Sequence, residues 1–152
     1  MRPLVLATAL VSLAGCESTS AQLADLMQRS GGITTLAFTT SDNGQPRPPQ
    51  VQKPPVNVLV TDAARAQAAY RATLQLPVWD HPGVYHCPIS WGVTFNATFM
   101  QDGQMVQQAT IEPDGCNQVK LLPSGIELQA FSDTYWGTLA QALGVPEDQL
   151  RQ

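Results

Sequence analysis

The chain has 152 residues, 43% of them hydrophobic and only 13% charged, a composition that suits one folded domain with a buried core and not a disordered chain. Twelve prolines and eleven glycines make it rich in turns. A net charge of −4 leaves no basic patch for a phosphate backbone, so nucleic acid is excluded as the expected partner.

Met1 and Arg2 precede Pro3 and an apolar run over 4–13 that only Thr8 and Ser12 interrupt. Spanning a bilayer takes about 20 apolar residues, so this run is too short for that and suits the apolar stretch of an export signal. The tetrapeptide Leu13-Ala14-Gly15-Cys16 resembles the bacterial lipobox in all four positions. That resemblance implies cleavage before Cys16, a diacylglycerol on its thiol, and a protein anchored by lipid to the cell membrane or the outer membrane, on the periplasmic or extracellular face. Two or three acyl chains, at about 0.8 kcal/mol per buried CH₂, hold a protein stably with no membrane-spanning helix. Glu17 stands where an aspartate marks inner-membrane retention in some envelopes. The competing reading is a buried strand of a cytosolic protein with an incidental cysteine.

Residues 16–32 mix Ser, Thr, Gln and Ala with Leu23, Leu26 and Met27 at helical spacing, and read as a lipid-anchored tether with one short helix. Residues 33–40 carry β-branched and aromatic side chains and run into Ser41-Asp42-Asn43-Gly44, a strand closed by turn formers. Five prolines over 45–55 predict an exposed, semi-rigid loop of polyproline character. Residues 56–60 alternate as a second strand, and either Thr61 or Asp62 can cap the alanine-rich helix predicted over 63–74. Its Ala63, Ala66, Tyr70 and Leu74 share one face, and Pro77 stops it. Asp102-Gly103 between the alternating runs 93–100 and 105–111 is a hairpin signal. Pro113-Asp114-Gly115 makes the next turn, and short strands are expected over 119–122 and 126–130. A C-terminal helix follows, with Ser132 as N-cap, Phe131 and Trp136 as a hydrophobic staple, and Gly144 and Pro146 as its stop.

With Cys16 assigned to lipid, Cys87 and Cys116 remain as a pair, and an oxidising compartment favours a disulfide between them. The alternative, a metal site built with His81 and His86, lacks paired ligand spacing such as C-x-x-C. The segment 79–91 holds both histidines, two of the three tryptophans and one end of that bridge. Catalysis by Ser90 with His81 or His86 and Asp80 would need three sequence neighbours at hydrogen-bond distance. No nucleophile elbow, phosphate loop or histidine-pair metal motif occurs in the chain, so the expectation is a protein that is not an enzyme and uses no metal or other cofactor. Instead, Trp79, His81, His86, Pro88, Ile89, Ser90 and Trp91 form a candidate binding loop, because aromatics on a disulfide-braced loop lose little entropy on docking. The opposing reading packs Trp79, Tyr85 and Trp91 into the core.

The span 87–116 resembles the disulfide-bounded half of the subtilisin-inhibitor-like family: Cys87-Pro88 opens a loop, a hairpin with Gly103 at its tip follows, and Cys116 closes it. The resemblance implies a protease-binding loop with its specificity position at Ile89 and its reactive bond at Ile89-Ser90. The family's second disulfide has no counterpart, and the proline-rich loop and C-terminal helix stand outside its pattern.

These readings divide the chain into a signal peptide at 1–15, a tether at 16–32, one domain at 33–146 and a tail at 147–152. The expected fold is α+β, an antiparallel sheet of four to six strands packed with the alanine-rich and C-terminal helices. The expected function is a lipid-anchored interaction module for an envelope protein, or an inhibitor of a secreted serine protease.

Overall fold

A computed structural model of the protein describes residues 18–80, 86–88 and 90–151. Six strands form one antiparallel sheet in the order β2-β1-β3-β4-β5-β6. In chain order they are β1 (Thr35–Asp42), β2 (Asn57–Val60), β3 (Val93–Gln101), β4 (Gln104–Ile111), β5 (Gln118–Leu122) and β6 (Glu127–Gln129). The helices are α1 (Thr19–Gln28), α2 (Ala63–Leu74), α3 (Asp133–Leu143) and α4 (Glu147–Leu150). The fold is α+β, with the sheet at the upper end of the expected strand count.

Side-chain alternation divides the sheet into two unlike faces. In β3, Val93, Phe95, Ala97 and Phe99 are buried, and the same face carries Leu36 and Phe38 of β1. Phe38 meets Phe95 with ring centroids 5.1 Å apart, and Tyr70 of α2 lies over Phe99 at 4.9 Å. Burying side chains of this size stabilises the fold by about 1.5–3 kcal/mol each. The opposite face is polar where Thr39, Asn96 and Thr110 stand in register across β1, β3 and β4. Asp62, not Thr61, caps α2 by accepting from the Arg65 N–H at 3.1 Å. The hairpin tip places Asp102 and Gly103 at φ 50° and 78°, the paired left-handed residues of a type I′ turn.

Two expected boundaries move outward. The stretch read as tether is, in its described part, folded onto the domain. Ser18 caps α1, and Leu23, Leu26 and Met27 pack against the core. Ser30 is buried, its carbonyl accepting from Gln67 Nε2 at 2.8 Å and its hydroxyl from Arg71 Nε at 3.4 Å. Helical spacing of three apolar residues made a face that needs a partner, and α2 and the sheet provide it. The stretch read as a tail contains α4, whose Leu150 is fully buried. Pro146 permits this because a residue opening a helix needs no N–H donor. Lys53 fastens the segment by donating to the carbonyls of Asp148 and Arg151.

Candidate functional site

Of the candidate loop, residues 86–88, 90 and 91 sit at the end of the sheet where β3 begins and β4 ends, while Trp79 lies along the edge of β6, and both flanks are fixed. On one side, residues 77–79 run along the outer edge of β6. Gln129 N donates to the Pro77 carbonyl at 2.9 Å and Trp79 N to the Glu127 carbonyl at 2.8 Å. This addition occupies an edge that would otherwise present unpaired backbone groups and holds Trp79 half-buried, its ring 6.5 Å from that of Phe131. Phe131, expected to staple the start of α3 with Trp136, is itself half exposed, whereas Trp136 is buried and donates its indole N–H to the Ala130 carbonyl at 2.8 Å.

On the other side, the turn at 113–117 grips Cys87, Pro88, Ser90 and Trp91. Cys87 and Cys116 form a disulfide with Cα atoms 5.0 Å apart. Asp114, only 5% exposed, accepts from the Ser90 hydroxyl at 3.2 Å and from the Trp91 N–H at 2.6 Å, one bond on each carboxylate oxygen. A charged acceptor makes these bonds stronger than neutral ones. Between them lies Gly115 at φ +59°, where an added Cβ would stand 3.3 Å from Ser90 Cβ and 3.5 Å from the Pro88 carbonyl. Glycine is favoured there twice, by the left-handed backbone and by the close approach of the loop. The turn is fastened in turn to the sheet, Asn117 accepting from Ala130 N at 2.7 Å.

Held from behind, the loop presents His86, Cys87, Pro88 and Ser90 to solvent, and Trp91 is half-buried. Both tryptophans therefore occupy a position between the expected free aromatic and the expected core residue. His81, Tyr85 and Ile89, and the lipid-attachment candidate Cys16, lie outside the described residues. Ser90 meets a carboxylate, but it is that of Asp114 and not the neighbouring Asp80. Among the described residues no group of three His, Cys, Asp or Glu could hold a metal ion, and no helix is long and apolar enough to cross a membrane.

Asp114 is the residue sequence reasoning missed. It stood in a Pro-Asp-Gly run whose turn chemistry explains an aspartate without further role, and the one available hint was its place two residues before Cys116. No known family, curated protein or solved structure matches the chain.

The surroundings of the turn are acidic. Burial, reinforced by Asp114 and Glu127, pushes the Glu112 carboxyl above its ordinary value. Elsewhere, a cleft of about 250 Å³ beneath the proline-rich loop contains Arg47 and Lys53. Both cations are already engaged, Arg47 by Asp42 and Lys53 by carbonyls of the α4 segment, so no charge there awaits a ligand.

Proposed function

We propose that this protein is an exported, lipid-anchored interaction module that binds a protein of the cell envelope through its 79–91 segment. The observation that carries the reading is the turn at 113–117, which supports the loop by a disulfide, by two bonds to a buried carboxylate and by close packing over Gly115. Residues 86–88, 90 and 91, held in this way, avoid part of the entropy cost of docking, and His86, Cys87, Pro88 and Ser90 are exposed. In this reading the module performs no catalysis and needs no cofactor, and lipid on Cys16 attaches it to the membrane. Capture from envelope extract with the wild-type protein and with Pro88→Ala/Ser90→Ala variants tests it. Loss of a specific partner from the variants is expected, and retention of every captured partner would sink the proposal.

A second reading, inhibition of a secreted serine protease with Ile89-Ser90 as reactive bond, is favoured by one feature. The fasteners fall on both sides of position 89, Cys87 to Cys116 before it and Ser90 and Trp91 to Asp114 after it. Such an arrangement would keep both ends of a cut loop in place. Titration against subtilisin-like enzymes separates the readings, since stoichiometric inhibition supports this one and rapid clipping with undiminished protease activity removes it.

A further inference from the structure

The chain enters the domain at the end of the sheet opposite the candidate loop. Thr34 N donates to the Met100 carbonyl at 2.9 Å, and Asp102 N donates to Thr34 Oγ1 at 3.1 Å, so the connection from α1 into β1 runs beside the hairpin tip. Gln22, Asp25 and Leu26 of α1 border Val106, Pro123 and Ser124, at the end where β4 begins and β5 finishes. Residues 86–88 and 90–92 and the turn at 113–117 lie at the other ends of β3 and β4. The nine residues of β3 separate the two ends, a distance of roughly 26 Å at the usual rise of an antiparallel strand.

Only Glu17 and Ser18 stand between Cys16 and the first helical residue, Thr19. Fully extended, that connection reaches no more than about 11 Å. Nor is α1 itself a loose spacer, because Leu23, Leu26 and Met27 pack against the core and Gln67 and Arg71 hold Ser30 just beyond it. Building on the proposal that Cys16 carries lipid, we infer that the anchor holds the domain without a flexible tether. The α1 end of the sheet faces the bilayer, and His86, Cys87, Pro88 and Ser90 face away from it. The loop is then met from the aqueous side and not at the bilayer surface.

The test uses the full mature lipoprotein in vesicles whose headgroups carry an acceptor dye, with a donor dye at one of two exposed sites. Gln104→Cys places the donor at the α1 end. Gln45→Cys places it just past Asn43, whose N–H donates to the Gly92 carbonyl at 3.2 Å, and so at the loop end. Energy transfer to the headgroups is expected to be at least about threefold greater from position 104 than from 45, given the length of β3 between them. A Leu23→Ser/Leu26→Ser variant, which frees α1 from the core, should bring the two readings together. Equal transfer from both sites in the otherwise unaltered chain, or greater transfer from position 45, would overturn the inference while leaving the anchor intact. Failure of the protein to float with the vesicles would remove the anchor and the inference together.

Discussion

The hairpin tip at Asp102-Gly103 and the turn at 113–117 both join neighbouring strands of one sheet, but they differ in what surrounds them. Gly103 has nothing within 4 Å of an added Cβ, whereas Gly115 lies against Ser90 and Pro88. Asp102 is exposed, whereas Asp114 is buried under the loop that it binds. The first turn carries what reversing the chain requires. The second carries a disulfide, a buried carboxylate and a closely packed glycine, all directed at a segment distant in sequence. Chain reversal does not account for that excess, and support of the 86–91 loop does.

The contrast can be tested by removing the supports one at a time. Replacing Cys87 and Cys116 together by alanine has the largest expected effect, a loss of about 3.5 kcal/mol from releasing a loop of roughly 30 residues in the unfolded chain, measured by urea unfolding. Asp114→Ala should cost about 2 kcal/mol by leaving the Trp91 N–H without its buried acceptor, and Asp114→Asn, which keeps one oxygen, should recover part of it. A cost for Asp114→Ala within experimental error of zero would mean that the carboxylate is not a support. Gly115→Ala and Gly103→Ala share the penalty of a left-handed residue, about 1–2 kcal/mol. Gly115→Ala is expected to cost more, because the Ser90 contact adds to it, and only that variant should weaken partner capture. Equal losses at the two glycines would dissolve the contrast between the turns.

The smallest effect concerns charge. Glu112 has a raised pKa in the folded protein, from burial first and then from Asp114 and Glu127, so its ionised form is disfavoured by folding. The fold bears this cost at neutral pH, sheds it as the pH falls through the raised folded value towards the ordinary 4.5, and is free of it below that, where folded and unfolded chains are both protonated. Glu112→Gln should therefore raise the melting temperature slightly at pH 7 and leave it unchanged in acid. A gain that persisted at low pH would assign the effect to something other than ionisation.

Much of the scaffold was legible in advance because its signals are local. The alanine-rich helix has the predicted bounds, 63 to 74, since a capping residue and Pro77 bracket a run of high propensity. The hairpin was marked by Asp-Gly between alternating strands. The candidate site was legible only in part. Pairing of Cys87 with Cys116 followed from their being the two cysteines left beyond Cys16, but Asp114 resembled any turn aspartate until the loop was seen folded over it. The short helix expected within 16–32 is present as α1, but its packing on the core was not legible, since a short amphipathic stretch shows that it has an apolar face without showing whether the fold leaves room to bury it, and the four residues of α4 were too few to signal a helix.

The amino-acid sequence by itself determined the fold class, the alanine-rich helix, the central hairpin and the identity of the bridged cysteines, because periodicity, capping and turn chemistry act between residues close in the chain. Tertiary structure alone decided that α1 and α4 belong to the domain, that residues 77–79 line the edge of β6, and that a turn aspartate supports a loop 24 positions away. Those outcomes depend on which surfaces meet once the sheet has formed, and that is settled by burial and hydrogen-bond satisfaction across the whole molecule rather than within any one segment.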